Sequence, residues 1–481
     1  MVIGVAMTPW HRHQQCHPDR VALCFSNTQG EEVALTWQQL CCHVEQYQAA
    51  LLSHGINTGD VLTLVGRNHI QMLMWFLAAQ QSGIVCAFAM PQSASQLAAK
   101  LNTLYTSSQT VYLWLADSAQ CLAEEFNGME RNIEFIEFIP PHNETLSSLV
   151  QTQYRHNNLA SIIFTSGSTG NPKAVVHNHE QHFASAQGLI DVFRYQSGDT
   201  WLLSLPMYHV SGLAIIYRWL HSGACLKIGN GELAKDIQNV THASLVPTQL
   251  KRLLDSKQEL TLSHVLLGGS HIPHDLGLQA AKLGIETWLG YGMTEAASTV
   301  TAKRVNETST TGKVLARRRV KLEGERIYIG GSTLAQGYYF QGMVKPIVDD
   351  QGWYDSKDLG KWLDGELVII GRADNLFISG GENIHCEEIE TILNQHPKVQ
   401  LAIVVPVKDG EYGARPVVVI RSNNQWLKPD GDIYLDGKLE KFKWPIAYFQ
   451  MPDELLETGI KVSRKAVKDW LTAYQNQFTP L

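Results

Sequence analysis

The sequence predicts an α/β protein with a large N-terminal α/β body of several subdomains and a small, mobile α+β C-terminal domain. The chain has 481 residues with 44% hydrophobic and 18% charged content, which is too long for one compact core. Short apolar runs alternate with helical ones between positions 159 and 289, which is typical of a doubly wound α/β domain. After about Gly324 the predicted strands become closely spaced and are joined by glycine-rich turns.

The elements of the large body follow from the hydrophobic pattern. Strands are predicted at 161–164, 174–177, 200–205, 243–246, 264–267 and 285–289. Helices are predicted at 38–53, 71–81, 180–193, 213–221 and 248–254. The alternation of these elements indicates one large α/β body.

The C-terminal part has a different pattern of predicted elements. Strands are predicted at 326–329, 365–370, 376–378, 401–405 and 416–420, and a helix at 387–394. The last helix begins near Ser463, a residue type favoured at helix N-caps, and apolar residues follow it three and four positions apart. We therefore expect a body of residues 1–371 and a mobile domain of residues 372–481, roughly 110 residues long and within the usual domain range.

Composition and charge exclude several functional classes. Lys+Arg 39 against Asp+Glu 46 gives a net charge of −7 without a basic block, so binding to nucleic acid is not expected. The eight cysteines include no C-x-x-C pair, so neither a zinc site nor a disulfide framework is predicted. The first twenty residues lack the apolar core of a signal peptide, and polar residues interrupt the most apolar stretch, 71–90. We expect a cytoplasmic protein without a membrane span.

A segment rich in hydroxyl groups and glycine lies between two predicted strands. It consists of Phe164-Thr165-Ser166-Gly167-Ser168-Thr169-Gly170-Asn171-Pro172-Lys173. Backbone N–H groups and hydroxyls can surround an anion, and Lys173 adds a positive charge. The segment is not a Walker A loop, because Lys173 precedes a predicted strand instead of a helix. We interpret it as a phosphate cradle, with an exposed polar hairpin turn as the alternative.

This loop resembles the signature loop of the acyl-adenylate-forming enzymes, a family that includes acyl-CoA and aryl-CoA ligases, luciferases and peptide-synthetase adenylation domains. The family usually has Gly after the lysine, where this chain has Ala174. Four further motifs occur in the family's order, so the resemblance covers nearly the whole chain. It implies ATP-binding roles for Thr165, Ser166, Gly167, Ser168, Thr169, Gly170 and Lys173.

Two motifs follow predicted strands near the middle of the chain. The first is Gly290-Tyr291-Gly292-Met293-Thr294-Glu295. It is similar to the family's adenine and metal motif, and the resemblance implies that its first five residues contact ATP. A carboxylate is the ligand type that Mg²⁺ prefers, so Glu295 is the candidate metal ligand. By the same resemblance Gly268-Gly269-Ser270 would lie along the adenine, with a turn at the strand end as the alternative.

The next two motifs supply candidate ribose and hinge residues. Asp358 occupies the place where the family ends an aromatic-T-G-D pattern, and a carboxylate there would accept the ribose hydroxyls. Lys357 departs from the Gly of that pattern. In the following hinge motif the resemblance implies that Arg372 contacts ribose or phosphate and that the small domain swings about Asp374. A buried salt bridge is the alternative for this pair.

Two further segments belong to the small domain. The resemblance implies that Gly380 and Gly381 border the path of coenzyme A once this domain has rotated, with a plain hairpin turn as the alternative. Lys461 lies in a segment that resembles the one bearing the catalytic adenylation lysine. The usual Gly before it is Ile460 here, and Lys465 is a nearby competitor. A solvated lysine stays open as the alternative.

The predicted acyl pocket involves one histidine, one serine and one arginine. The family has an aromatic residue or His that lines and gates the acyl site, which implies that role for His209, with Ser211 nearby. A structural histidine is the alternative. Arg218 lies on an otherwise apolar helix, where a cation either extends to solvent, forms an internal salt bridge or awaits an anion. If Arg218 faces the pocket, the substrate should carry a second carboxylate.

Within the family, the sequence around these positions is similar to the o-succinylbenzoate:CoA ligases of menaquinone biosynthesis. Their substrate is activated at its aliphatic carboxylate, which leaves the aromatic carboxylate for Arg218. The resemblance implies a ligase that uses ATP, Mg²⁺ and coenzyme A, with an acyl-adenylate as intermediate. Another aryl- or acyl-CoA ligase and a non-catalytic nucleotide-binding regulator stay open as alternatives, and so does a homo-oligomer.

Overall fold

The computed structural model describes residues 6–27, 29–126, 131–140, 152–166, 172–268, 274–308, 310–422, 426–456 and 462–474. Within these ranges the strands form four sheets. The helices are Pro9–Cys16, Trp37–Ser53, Ile70–Gln81, Ala94–Leu104, Leu122–Phe126, His179–Ile190, Val210–Ser222, Leu233–Asp236, Pro247–Asp255, His274–Lys282, Cys386–Leu393, Lys428–Leu435 and Arg464–Tyr474. Short 3₁₀ turns lie at Asp117–Ala119, Thr294–Ala296, Ala373–Asn375, Lys441–Lys443 and Asp453–Leu455.

The first sheet has nine strands. Across the sheet they are Lys313–Val314, Ser298–Arg304, Glu286–Met293, His264–Leu267, His242–Leu245, Thr200–Leu202, Cys225–Ile228, Val21–Ser26 and Glu32–Thr36. The six strands from Glu286–Met293 to Val21–Ser26 run parallel, and the remaining strands pair antiparallel at the two edges. Parallel strands need crossover connections, which the intervening helices provide.

The second sheet has eight strands and contains the predicted phosphate-loop hairpin. Across the sheet they are Met343–Lys345, Gly337–Phe340, Pro172–Asn178, Leu159–Ser166, Val85–Ala89, Val61–Val65, Val111–Leu115 and Ile133–Phe135. The doubly wound interpretation of 159–289 is therefore incomplete, because this run is divided between two sheets. A short loop can join antiparallel strands without a crossover helix, so the hairpin pairs locally and joins a different sheet.

Local contacts explain where the two helices His179–Ile190 and Val210–Ser222 begin and end. The carboxamide of Asn178 accepts from the Gln181 N–H at 2.9 Å, and Gln181 accepts from the Asn178 N–H at 2.9 Å, so a capping box begins helix His179–Ile190. Helix Val210–Ser222 is buried along nearly its whole length and ends at Gly223, where φ is +68°. A Cβ on Gly212 would lie 2.1 Å from the Pro206 carbonyl oxygen, so only glycine fits there.

The C-terminal part contains two smaller sheets. The four-stranded antiparallel sheet consists of Arg318–Glu323, Arg326–Gly331, Tyr354–Leu363 and Glu366–Arg372. The five-stranded sheet consists of Glu382–His385, Leu376–Ser379, Gly413–Ser422, Val399–Asp409 and Ala447–Gln450. Alternate residues of strand Gly413–Ser422 pack on opposite faces of this sheet: Val418 towards helix Cys386–Leu393 and Val419 towards helix Arg464–Tyr474. The predicted α/β class with a small α+β unit is confirmed.

Several predicted strands differ in length from the observed ones, and those predicted at 401–405 and 416–420 extend over Val399–Asp409 and Gly413–Ser422. The strand predicted at 200–205 ends at Leu202, and the one predicted at 285–289 continues to Met293. The extension forms because this strand pairs antiparallel with Ser298–Arg304, a contact that local sequence does not reveal. Among the described helices, none combines the length and apolar character that crossing a bilayer requires.

Candidate active site

The predicted phosphate loop lies at the end of the hairpin of the eight-stranded sheet. Thr165 pairs with Lys173 across the two strands. The positions Gly167, Ser168, Thr169 and Gly170 lie outside the described residues, and the side chain of Ser166 is likewise not described. The Lys173 ammonium lies 5.1 Å from the ring centroid of Tyr338, on the neighbouring strand of the same sheet.

The same tyrosine connects the loop to the candidate metal ligand. The Tyr338 hydroxyl donates to Glu295 Oε1 at 3.2 Å, and Glu295 lies in the 3₁₀ turn Thr294–Ala296. Burial, with the nearby Glu295 charge, raises the pKa of Tyr338 to about 12, so its hydroxyl stays a donor at neutral pH. The structure thus brings Lys173 and Glu295, which are far apart in sequence, to one side chain.

Glu295 fits the way proteins hold Mg²⁺. Its carboxylate is half-buried, and the described residues contain no group of three or more His, Cys, Asp or Glu side chains that could bind a metal by themselves. Mg²⁺ usually takes one or two carboxylates and completes its shell with water and substrate phosphates. A single carboxylate that shares Tyr338 with Lys173 matches that donor set.

The candidate adenine residues lie at the carboxyl ends of two neighbouring parallel strands. Gly268 follows strand His264–Leu267, and a Cβ there would lie 3.9 Å from the carbonyl oxygen of Gly290 on the next strand. A Cβ on Gly292 would lie 1.8 Å from the Ser298 carbonyl oxygen, so glycine is required. Met293 ends this strand, Thr294 opens the turn before Glu295, and Gly269 and Ser270 lie outside the described residues. Open α/β sheets bind ligands at this edge.

Asp358 is the centre of a complete polar network. Its buried carboxylate accepts from the Tyr291 hydroxyl at 2.6 Å and from Arg372 Nη1 at 2.9 Å. Burial raises the pKa of Asp358, and the Tyr291 and Arg372 contacts oppose that rise. Arg372 Nη2 also donates to Asp374 at 3.2 Å, but both side chains are half-exposed, so this salt bridge is not the buried one that the sequence left open. Lys357, in place of the family's Gly, has φ +62°, a conformation that favours glycine.

Arg218 lies in the core with its charge uncompensated. The residue is 1% exposed, and its guanidinium lies 5.2 Å from the ring centroid of Trp201. Nη2 is 3.5 Å from the Thr299 hydroxyl, a long contact, and Nε has no hydrogen-bond partner among the described residues. Burial, with a contribution from Arg318, lowers the pKa of Arg218 to about 9, so the guanidinium is protonated at neutral pH. No described carboxylate acts on it.

The position of Arg218 relates it to the nucleotide motifs. Thr299 is the cross-strand partner of Gly292, so the guanidinium points towards the strand that carries the adenine motif. Ser211 and Arg218 are seven residues apart on helix Val210–Ser222 and share one face. His209 immediately precedes this helix, is half-buried, and has its ring 5.0 Å from that of Tyr208.

The remaining candidates lie in the C-terminal part. Asp374 occupies the 3₁₀ turn Ala373–Asn375, between the four-stranded and the five-stranded sheets. Gly380 and Gly381, with φ +58° and +88°, form the two-residue turn of a hairpin, which is the local geometry of the alternative interpretation. Lys461 lies outside the described residues, so its role stays a prediction. Its competitor Lys465 is exposed on the last helix.

Sequence reasoning missed three side chains of this site. They are Trp201, Thr299 and Tyr338. Each lies on a strand without a motif of its own, and each reaches the site through strand pairing that no local pattern displays. Trp201 was inside a predicted strand, but nothing in the sequence showed that it faces Arg218.

Comparisons with known proteins identify the family of this chain. The family model described as AMP-binding enzyme matches residues 10–339. The 2-succinylbenzoate–CoA ligase of Haemophilus influenzae is 40% identical over 475 residues, covering 97% of this chain and 98% of that protein. The ligase of the same name from Escherichia coli is 36% identical, covering 97% and 99%. A solved structure of an Arg-to-Lys variant of E. coli MenE with bound OSB-AMS aligns with a TM-score of 0.85 and 34% identity, covering 98% and 99%. The chain belongs to the AMP-binding enzyme family.

Proposed function

We propose that this protein is an AMP-forming o-succinylbenzoate:CoA ligase of menaquinone biosynthesis. ATP and the acid give an acyl-adenylate and pyrophosphate, and the thiol of coenzyme A then displaces AMP. Near full-length relatives at 36% and 40% identity carry the name 2-succinylbenzoate–CoA ligase, and the E. coli structure holds OSB-AMS, in support of this assignment.

The observation that carries the choice of substrate is the uncompensated charge of Arg218. A guanidinium that is 1% exposed and lacks an acidic partner among the described residues is unfavourable in the free protein. A carboxylate bound in the pocket would supply charge-assisted hydrogen bonds to this group. That carboxylate cannot also be the one under activation, so the acid must carry two. Ser211, on the same helix face, and His209 would line the rest of the pocket.

Electrostatics supply the first half-reaction. The attack of a carboxylate on the α-phosphate brings like charges together, so positive groups positioned around the phosphates lower its barrier. Lys173 and the loop from Thr165 to Gly170 would hold the phosphates, and Lys461 would act on the reacting centre. Glu295 is the residue that would hold Mg²⁺, which when bound supplies further positive charge to the phosphates.

The rest of the nucleotide would bind at Asp358 and at the carboxyl ends of two parallel strands. Asp358 would accept the ribose hydroxyls, with Tyr291 and Arg372 keeping its carboxylate in place. The glycines of the two strand ends, with Gly269 and Ser270, would lie along the adenine. Because the protein would hold both the acid and the nucleotide in place, the acid carboxylate and the α-phosphate would meet in a defined geometry.

The second half-reaction would need a different arrangement of the C-terminal domain. We place the domain boundary between residues 371 and 372, with Asp374 as hinge, because the five-stranded sheet begins directly after this turn. Rotation there would withdraw Lys461 and bring Gly380 and Gly381 to the thiol path. The cytoplasm is the proposed location; all eight cysteines are free in the structure, as a reducing compartment requires.

The test is release of AMP and pyrophosphate by the purified protein with ATP and coenzyme A. The acids are o-succinylbenzoate, benzoate, 4-chlorobenzoate and fatty acids, each assayed with the wild type and with Arg218→Ala. We expect turnover with the dicarboxylate only, and its loss in the variant. Turnover with monoacids would instead favour another aryl- or acyl-CoA ligase, and ATP binding without pyrophosphate release would favour a non-catalytic regulator.

A further inference from the structure

A second buried arginine, Arg318, lies near the site but outside every motif described above. It is 6% exposed and begins strand Arg318–Glu323. No described carboxylate acts on it, and burial lowers its pKa to about 10. Unlike Arg218, its guanidinium makes several hydrogen bonds. Nη1 donates to the Ala316 carbonyl at 2.9 Å, and Nη2 donates to the carbonyl and hydroxyl oxygens of Ser185 at 3.0 and 2.9 Å.

The helix that receives Arg318 is shaped to admit it. A Cβ on Gly188, in the last turn of helix His179–Ile190, would lie 2.2 Å from Arg318 Nη1 and 2.5 Å from the Ala316 carbonyl oxygen. Glycine is an unfavourable residue inside a helix. Its presence here creates the space that the guanidinium occupies, one helical turn after Ser185.

Ser185 passes this interaction on to the turn that carries Glu295. Its hydroxyl accepts from Arg318 Nη2 and donates to the Ala297 carbonyl oxygen at 2.5 Å. Ala297 and the next residue, Ser298, have φ +50° and +92°, which are rare for residues with a side chain. Two strained residues persist only where surrounding contacts hold them, and the donor to Ala297 is such a contact.

The Ala297–Ser298 segment lies in sequence between the candidate Mg²⁺ ligand and the threonine that contacts Arg218. Glu295, the candidate Mg²⁺ ligand, precedes Ala297 by two residues, and Thr299, which contacts Arg218, follows it by two. Helix His179–Ile190 also follows directly on the strand that carries Lys173. A hydrogen bond from a cation is stronger than one from a neutral donor, and it polarises the hydroxyl that it contacts.

We propose that Arg318 is a positioning residue for the ligase reaction: through Ser185 it holds the Ala297–Ser298 segment and so fixes Glu295 at the phosphates and Thr299 beside Arg218. The inference rests on the proposed function, because it assumes that Glu295 serves the magnesium nucleotide. It predicts that loss of Arg318 weakens the contribution of Mg²⁺ to nucleotide binding, which a merely structural role would not do.

The test measures the affinity of a non-hydrolysable ATP analogue by calorimetry, once with Mg²⁺ and once with EDTA. The ratio of the two dissociation constants is the Mg²⁺ gain. We expect Arg318→Met to reduce this gain by about tenfold, because small misplacements of a positioned group have effects of that order or larger. Ser185→Ala should reduce it by at least as much, since this change removes the hydroxyl that donates directly to the Ala297 carbonyl. Glu295→Gln provides the reference for complete loss.

Arg319→Met is the matched control. Arg319 is adjacent and exposed, its guanidinium lies 4.8 Å from the ring centroid of Trp353, and it should leave the gain unchanged. An unchanged Mg²⁺ gain in folded Arg318→Met overturns the inference, and so does an unchanged gain in Ser185→Ala should the first variant not fold. A wild type that gains nothing from Mg²⁺ overturns it together with the Glu295 assignment. Absence of pyrophosphate release from o-succinylbenzoate by the wild type marks failure of the proposed function instead.

Discussion

The two ends of the candidate site treat charge in opposite ways. At the nucleotide end, the Asp358 carboxylate is paired with Arg372 and receives the Tyr291 hydroxyl before any ligand is present. At the acid end, Arg218 is more deeply buried than any of these, and no described carboxylate compensates its charge. The same protein therefore completes one network and leaves the other open.

The difference follows from what each end is proposed to bind. Ribose hydroxyls are neutral, so a carboxylate that receives them can also keep its protein partners. A substrate carboxylate brings a full charge, and a guanidinium already paired with a protein acid would have less to gain from it. The open charge makes the free protein less stable and the complex more specific.

Arg218→Met should have the largest effect, and it tests both halves of this comparison. Breaking a buried charge pair costs about 3–5 kcal/mol, so kcat/KM for o-succinylbenzoate should fall about 10²- to 10⁴-fold. The melting temperature of the ligand-free protein should rise, because an uncompensated buried charge is replaced by an apolar side chain of similar length. Steady-state kinetics and thermal unfolding measure the two quantities.

Arg218→Lys is the control that keeps the positive charge but removes the planar guanidinium group. It should recover only part of the activity, because an ammonium cannot form two parallel bonds to a carboxylate. A lower melting temperature in Arg218→Met, with unchanged selectivity for the dicarboxylate, would contradict the open-charge interpretation.

Asp358→Asn should have the next largest effect, with the opposite sign on stability. The change leaves Arg372 without its buried partner, and a lost charged hydrogen bond costs about 1.5–3 kcal/mol, at the lower end here because Arg372 is half-exposed. We expect KM for ATP to rise about tenfold or more and the melting temperature to fall. A stabilised Asp358→Asn protein would remove the contrast between the two ends.

The sequence predicted the residues of this comparison better than their surroundings. Gly292, Asp358, Arg372 and Arg218 each belong to a local pattern, and local patterns are visible in one chain. Tyr338 was not predicted, because its position beside Glu295 depends on strand Gly337–Phe340 pairing with Pro172–Asn178, far away in sequence.

The fold shows the same limit. Most of the helices and strands that the sequence predicted lie within a few residues of observed ones, but strands such as Val21–Ser26, Val61–Val65 and Ser298–Arg304 were not predicted. The division of 159–289 between two sheets was not predicted either, since pairing partners are chosen by tertiary packing. Arg318 was missed for the same reason. It begins a strand with a polar sequence, and its burial becomes apparent only from its contacts with Gly188 and Ser185.

Tyr291→Phe should have a smaller effect, and that effect should be on nucleotide binding. The substitution removes one donor to Asp358 and leaves the Arg372 contact intact. One net hydrogen bond is worth about 1 kcal/mol, so KM for ATP should rise about fivefold while kcat/KM for o-succinylbenzoate at saturating ATP changes little. Initial-rate kinetics with each substrate varied in turn measure this. A larger change in kcat/KM for the acid than in KM for ATP would contradict the assignment of Tyr291 to the nucleotide end of the site.

The smallest effect at neutral pH concerns two buried histidines, His177 and His179, whose charge responds to burial differently from that of Arg218. Burial lowers the pKa of His177 and of His179 to about 3, so both are neutral where Arg218 is still charged. Their pKa in the folded protein lies below the unfolded value of about 6.5, so the unfolded chain takes up protons first. Stability should therefore be full above pH about 6.5 and fall towards pH 3, by up to about 1.4 kcal/mol per pH unit for each histidine.

Urea unfolding at pH 8, 6 and 5 measures this slope. His177→Leu should flatten it by about one proton, because the side chain that the unfolded state would protonate is gone. Activity at pH 8 should change little, since both ring nitrogens of His177 lack hydrogen-bond partners among the described residues and no substrate role falls on it. His43→Gln is the control, because His43 is exposed and should leave the slope unchanged. An unaltered slope in His177→Leu would mean that His177 is protonated in the folded core, and burial would then not separate the histidines from Arg218.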